Sequence, residues 1–335
     1  MIKKISRTML FGLMVVITVL LILGLLSGPI KPQNTNHPEQ MQVRYTLISS
    51  MMTDYWEEIA YGAQEEAARR GVSLKCIGFE DGSSSNYADH IEYAISSGID
   101  GLIISGGVKD DGAIQAIEDA RASGIPIVFT DSHGRDDLCD AAVMSDNAEA
   151  GRLAADELAR VTDSQAQILV VLFSATSATQ SQRLNAFEQE IKKYPNMSVA
   201  AVVEGRGDPY LMQKRVEDIL EEKPEINAIF AASASASHML GRIPSLSKSL
   251  GKTIHLVSFD FTQSVRDYIQ NGLYDATIAQ SPRQMGQIAF SVLEDCRLNG
   301  PKNAEEIFTP LHVITRENME QEMMEERGEV IWSRY

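Results

Sequence analysis

Cysteine is scarce in this chain: the 335 residues carry only Cys76, Cys139 and Cys296. An odd number cannot all pair within one chain, and no two stand at metal-ligand or redox-motif spacing. The fold therefore has to be held by an apolar core rather than by cross-links, and Cys76, inside the strand-like run 73–79, reads as a small buried hydrophobe. Positive charge is also short, with 30 basic side chains against 46 acidic ones and a formal net charge of −16. Residues 1–42 carry Lys3, Lys4, Arg7 and Lys31 against Glu39, so residues 43–335 are more acidic still. Such a surface is repelled by phosphodiester backbones, which removes nucleic acid from the partners to consider. Enzyme signatures are missing too: no Gly-x-Ser-x-Gly elbow, no His-Glu-x-x-His, no phosphate loop and no Gly-x-Gly-x-x-Gly after the first strand. Asp131-Ser132-His133 contains triad residue types, but triad groups converge from separate elements. His37, His90, His238, His255 and His312 are scattered without ligand spacing. No catalytic residue, metal ligand or cofactor is expected.

Long apolar runs are absent with one exception, residues 9–28, preceded by Lys3, Lys4 and Arg7. Its length is about what a helix needs to cross a bilayer, ~20 residues. The basic residues ahead of it place the N-terminus in the cytoplasm and the rest outside. The run ends Leu25-Leu26-Ser27-Gly28-Pro29, with proline where a lipoprotein box requires cysteine. Residues 1–28 are therefore expected to be a retained, single-pass signal anchor in the cell membrane, a cleaved and secreted form being the alternative. Residues 29–42, polar and with three prolines, read as a linker.

From residue 43 short β-branched runs alternate with amphipathic helices. Strands are expected at 43–49, 73–79, 101–105, 125–130, 142–144, 168–173, 199–204, 228–232, 254–259 and 276–279. Helices are expected at 54–70, 87–97, 111–123, 148–160, 180–193, 209–222, 237–249, 262–271 and 283–298. Regular alternation with nearly continuous apolar strands means α/β architecture, two doubly wound parallel-sheet lobes covered on both faces. In such sheets ligands bind beyond the carboxyl ends of the strands. The residues standing there include Thr53, Tyr55, Trp56, Ser105, Asp131, Ser132, Arg183, Ser233, Asp260 and Gln280. Aromatic faces, carboxylates, a guanidinium, an amide and hydroxyls together suit a polyhydroxylated small molecule.

Five stretches in order also resemble the type I periplasmic sugar-binding proteins, the ribose and galactose binding group. They are Thr53-Asp54-Tyr55-Trp56 with Tyr61-Gly62-Ala63, and Gly124-Ile125-Pro126-Ile127-Val128-Phe129-Thr130-Asp131. Next come Ser145-Asp146-Asn147 with Gly151, then Phe259-Asp260, and lastly Ala276-Thr277-Ile278-Ala279-Gln280. The resemblance covers about residues 43–318. It implies two lobes joined by three crossings, lobe I being 43–145 with 281–308 and lobe II being 146–280 with 309–335. It implies stacking rings at Tyr55 and Trp56, and hydrogen-bonding groups at Thr53, Asp131, Arg183, Ser233, Asp260 and Gln280. Three departures stand out: Ser132 replaces a second arginine of the ribose binders, Ser233 an amide, and Gly207 an aromatic. The pocket implied is roomier and less cationic than a ribose site.

The expected function is thus extracytoplasmic binding of a sugar or sugar-like small molecule by a monomeric, membrane-tethered domain that delivers it to an ABC-type permease. A sensor histidine kinase is the alternative membrane partner, and an exported carbohydrate-active enzyme on the same frame is the alternative of another class. Plainer readings exist for the key residues: core packing for Tyr55 or Trp56, a loop or cap for Asp131, and a surface ion pair with Glu188 or Glu190 for Arg183. Arg206-Gly207-Asp208 and Asn196-Met197-Ser198 are short motifs explained by a strand-to-helix junction and by chance.

Overall fold

A strand that is apolar on both faces needs cover on both faces, and the chain supplies it twice. The computed structural model describes residues 43–49, 53–78, 87–243 and 254–321. The expected membrane segment and the linker lie outside the described residues. Among those described, no helix is long and apolar enough to cross a membrane.

Strands β1 (Arg44–Ile48), β2 (Ser73–Ile77), β3 (Gly101–Ser105), β4 (Ile127–Asp131), β5 (Ala141–Ser145) and β11 (Glu305–Thr309) form one six-stranded sheet. Its order is β11-β5-β4-β3-β1-β2. The second sheet holds β6 (Gln165–Leu172), β7 (Asn196–Glu204), β8 (Ala228–Ala231), β9 (His255–Phe259), β10 (Ala276–Ala279) and β12 (His312–Thr315), in the order β12-β10-β9-β8-β6-β7. The two orders correspond strand for strand, so the second sheet repeats the topology of the first. Pairing is parallel except between β10 and β12. Strands β3 and β5 are buried at every position, as sheets covered on both sides require.

The helices are α1 (Asp54–Arg69), α2 (Tyr87–Ser96), α3 (Asp111–Ala122), α4 (Asn147–Val161), α5 (Ala178–Glu190), α6 (Pro209–Glu222), α7 (Ala234–Leu240), α8 (Gln263–Gln270) and α9 (Pro282–Asn299). In lobe I, Ile59 and Ala63 of α1 pack with Met285, Ala289 and Phe290 of α9 on one face of the sheet. Ile91 of α2 and Ile117 of α3 cover the other. In lobe II, Leu158 of α4 and Phe187 of α5 cover one face. Met212 of α6, Leu240 of α7 and Val265 of α8 cover the second.

Two features differ from the periodicity. Helix α7 begins at Ala234 because Ser233 caps it, accepting a hydrogen bond from the Ala236 amide. The edge strands β11 and β12 are short and polar, and only their pairing with β5 and β10 reveals them. Between these strands the backbone passes from sheet to sheet: after β5, after β10 and between β11 and β12. The crossings are tied together, Ser145 to Thr309 through their hydroxyls at 3.5 Å and Ser281 Oγ donating to the Pro310 carbonyl at 3.0 Å.

Helices α1 and α9 touch backbone to backbone. A Cβ on Gly62 would stand 1.9 Å from the Arg283 carbonyl oxygen, and one on Gly286 1.9 Å from that of Ile59. Gly286→Ala gains ~1 kcal/mol of helix propensity. The overlap with a carbonyl that cannot move aside opposes it and is expected to win by ~1–3 kcal/mol. Urea unfolding should show the net loss; a neutral or stabilised variant would mean that the helices stand further apart.

Candidate ligand site

The residues singled out in the sequence sit where the fold leaves the ends of its strands open. Chain order 2-1-3-4-5 places a switch point beside the first strand of each sheet. Tyr55 follows β1, Asp131 ends β4, Arg183 stands one turn into the helix after β6, and Asp260 follows β9. Because β4 and β9 hold the same position in their sheets, Asp131 and Asp260 are topological counterparts. Both adopt left-handed backbone, φ 69° and 71°. Aspartate tolerates this region better than most residues, yet it remains strained, and such strain gathers at functional positions.

The side chains form a connected cluster. Tyr55 Oη donates to Asp131 Oδ1 at 2.8 Å and lies 3.4 Å from Gln280 Oε1. Gln280 Nε2 donates to Asp260 Oδ1 at 2.7 Å. The crossing glutamine thus bonds the carboxylate of lobe II, while its carbonyl oxygen lies beside the Tyr55 hydroxyl whose single proton goes to the carboxylate of lobe I. Arg183 is 6% exposed. Its Nε donates to Asn147 Oδ1 at 2.9 Å, its Nη1 to the Ala232 carbonyl at 2.6 Å, and its guanidinium lies 3.5 Å from the centre of the Phe259 ring. A guanidinium has five N–H donors, so three remain for a ligand. The surface ion pair with Glu188 or Glu190 does not form. Helix α5 is able to seat Arg183 this close because a Cβ on Gly151 of α4 would stand 2.2 Å from the Arg183 carbonyl.

Burial sets the electrostatics. It pushes the Asp131 carboxyl up, against the Tyr55 hydrogen bond and the Arg183 charge that pull it down, while the Asp260 charge pushes it further up. Burial raises Asp260 likewise, opposed by Arg183 and Gln280. Burial lowers Arg183, opposed first by Asp260 and then by Asp131. Tyr55 is driven well above its ordinary range, so it acts as a donor and never as a phenolate. Two carboxylates thus share one guanidinium.

The other expected site residues lie around this cluster in different roles. Thr53 is exposed at the start of α1 and makes no side-chain capping bond. Ser105 is buried and bonded to the Tyr87 hydroxyl at 2.7 Å. Ser132 is partly buried in the turn after β4, its amide donating to the Thr130 carbonyl. Ser233 spends its hydroxyl oxygen on the α7 cap. The expectation of a second stacking ring at Trp56 is corrected. Successive helical residues diverge by ~100°, so with Tyr55 turned to the cleft Trp56 turns to the sheet. It is 7% exposed and packs with Leu47 and Ile59, its ring edge-on to Tyr55 at 5.5 Å. It borders a separate groove with Lys75, His90 and Tyr93.

Two contributors are not legible as site residues in the sequence. Asn147 holds Arg183, and Phe259 lies under its guanidinium. Both belong to stretches that carry the family resemblance, Ser145-Asp146-Asn147 and Phe259-Asp260, but their partners are remote in sequence. The cysteines are unpaired, and burial pushes the Cys139 thiol up to about 12 and the Cys76 and Cys296 thiols up to about 11. Such thiols are poor nucleophiles.

Two doubly wound lobes with crossings between them and a polar cluster at the facing strand ends define the type I periplasmic binding class. The chain matches the periplasmic binding protein domain family over residues 45–300 and belongs to it. It is 27% identical to the ribose import binding protein of Bacillus subtilis over 291 residues, 85% of this chain and 91% of that protein. The ribose operon repressor of Lactococcus lactis is 25% identical, with 83% of this chain and 80% of that one covered. Among solved structures, an arabinose binding protein from Geobacillus stearothermophilus shares the fold with a TM-score of 0.76 at 24% identity, covering 84% of this chain and 99% of that one.

The geometry sets two expectations. Trp56→Ala should cost fold stability, ~3–5 kcal/mol as for other buried aromatics, seen in denaturant melts without ligand; an unchanged midpoint would return the ring to the cleft. For Asp131, the folded carboxyl lies above its unfolded value of ~3.9. The folded state then holds the proton more tightly, so this group's contribution is favourable at low pH and is lost as pH rises through the folded pKa. Asp131→Asn should therefore melt higher than the parent near neutrality, with the advantage shrinking toward pH ~4. A gap that widens on acidification would show that the charged carboxylate is stabilised instead.

Proposed function

We propose that this protein is an extracytoplasmic solute-binding protein for a neutral sugar or sugar-like small molecule, tethered by residues 9–28 and delivering its ligand to an ABC-type permease. The observation that carries the reading is the convergence of Tyr55 and Asp131 from lobe I with Asp260 and Gln280, with Arg183 of lobe II within electrostatic reach of both carboxylates. A ring hydroxyl bonded at once by groups of both lobes favours the closed form, and closure is what a membrane partner reads. Relatives support the ligand class: the Bacillus subtilis one is a ribose import binding protein, and another, from Actinobacillus succinogenes, a D-apiose import binding protein. Ser132 in place of an arginine and Ser233 in place of an amide argue for a ligand other than ribose.

Pro29, standing where a lipid-anchored form needs cysteine, favours a retained helical anchor and with it a second reading: a sensor kinase as the membrane partner. Deleting the gene separates the two. Loss of sugar uptake supports the permease, and loss of a sugar-dependent transcriptional response with uptake intact supports the sensor. Intact-mass measurement on the membrane fraction tests the anchor, since a mature chain beginning near Pro29 would refute it.

The binding reading is tested by thermal shift against D-ribose, D-galactose, D-xylose, D-apiose and myo-inositol, followed by titration calorimetry. Charged hydrogen bonds of this kind are worth ~1.5–3 kcal/mol. Asp131→Ala, Asp260→Ala and Arg183→Ala should each weaken affinity at least tenfold, ~1.4 kcal/mol. Pairs should be non-additive because all three share one ligand. Parental affinity in two of the three would place the pocket elsewhere.

A further inference from the structure

Asparagine is a poor residue for a helix interior, and its ordinary use at a helix start is as the cap. Helix α4 does not use Asn147 that way: Asp146 is its cap, accepting from the Glu149 amide at 2.9 Å. Asn147 is the next residue, directly after the first crossing between the sheets, and it is 4% exposed. Both ends of its side-chain amide are engaged. Nδ2 donates back to the Ser145 carbonyl at 3.2 Å, and Oδ1 accepts from Arg183 Nε at 2.9 Å. Ser145 closes β5 in lobe I and Arg183 belongs to α5 in lobe II, so one side chain spans the crossing.

The consequence for Arg183 is directional. A guanidinium is a rigid planar fork, so fixing some of its donors fixes where the others point. Asn147 takes the Nε end, the Ala232 carbonyl accepts from Nη1 at 2.6 Å, and the Phe259 ring centre lies 3.5 Å from the guanidinium. Nη2 makes no hydrogen bond, yet it is not sealed from solvent: the one fully enclosed side-chain nitrogen or oxygen without a partner among the described residues is Arg266 Nε. The open donors of Arg183 are therefore concentrated at Nη2. The group that sets this orientation is neutral. A carboxylate in its place would compete for the guanidinium with Asp260 and Asp131, the two charges that favour it.

Resting on the sugar-binding proposal, which sets Arg183 against the ligand, we infer that Asn147 is a positioning residue for that ligand. It hangs the guanidinium on the first crossing and leaves Nη2 to donate to a ligand hydroxyl. Such a residue changes affinity through Arg183 and not through a contact of its own.

The test uses the full-length chain in detergent. D-ribose, D-galactose, D-xylose, D-apiose and myo-inositol are each titrated calorimetrically into the parent, Asn147→Ala, Arg183→Lys and the double variant. Lysine at 183 keeps a charge but has no Nε–H for Asn147 to hold. For any sugar that the parent binds, Asn147→Ala should weaken affinity about tenfold, as for a lost hydrogen bond to a charged group. Added to Arg183→Lys it should cost no more than about twofold, because the two changes remove one interaction. Equal weakening in both backgrounds would overturn the inference, since Asn147 would then act through the fold, and sugar binding would still stand. A parent that binds none of these sugars would overturn the sugar-binding proposal and the ligand role of Asn147 with it. A second readout needs no ligand. With isotope-labelled arginine, the Arg183 Nε–H signal is identified by its absence in Arg183→Lys. Its proton should exchange slowly with water in the parent and in Asn147→Asp, which keeps the acceptor, and rapidly in Asn147→Ala. Slow exchange in Asn147→Ala would overturn the bond on which the inference rests. Should Asn147→Ala fail to fold, Asn147→Ser, whose hydroxyl is too short to reach Arg183, takes its place in both measurements.

Discussion

The architecture turns on one electrostatic constraint: a buried guanidinium and two half-buried carboxylates are brought together where the strands of two sheets end. Arg183 is tolerable there only because its charge is distributed over fixed partners, the Asn147 amide, the Ala232 carbonyl and the Phe259 face. None of these neutralises it. The charges that favour it are those of Asp260 and then Asp131. Burial of this kind contributes little to stability and a great deal to selectivity, because any occupant must meet the remaining donors and acceptors or leave them desolvated.

Much of the surrounding structure serves to hold these groups at fixed positions. Gly151 lets α5 lie against α4 so that Arg183 reaches the strand ends, and Gly62 with Gly286 does the same for α1 and α9 on the Tyr55 side. Backbone contact between helices leaves little freedom for the residues they carry. The left-handed turns at Asp131 and Asp260 complete the arrangement, redirecting the chain as each strand ends. Their equivalence in the two sheets makes the cleft a pseudo-symmetric pair of jaws, each with a carboxylate.

Joining the jaws falls to Gln280. It stands at the crossing from β10 toward α9, donates to Asp260 and lies beside the Tyr55 hydroxyl bonded to Asp131. Ser145, Thr309, Ser281 and Pro310 tie the neighbouring crossings by hydrogen bonds. On the proposed reading, an occupant of the cleft would lie against the segments about which the lobes would move.

The alternation of helices and strands and the parallel sheets were legible in the sequence because each depends on local pattern. Period 2 and period 3.6 are written in consecutive residues, and parallel topology results from helices intervening between buried strands. The sequence also marked Tyr55, Asp131, Asp260 and Gln280, which end or directly follow strands or begin a helix, while Arg183, a turn into α5, was marked chiefly by the family resemblance. Which neighbour of a pair faces the cleft was beyond it: Tyr55 and Trp56 differ only in how α1 is rotated against its sheet, and packing with α9 decides that. The same holds for Asn147 beside Arg183 and for the edge strands β11 and β12. Each is a relation between residues far apart in the chain, settled by the docking of one element on another rather than by any local preference of the backbone.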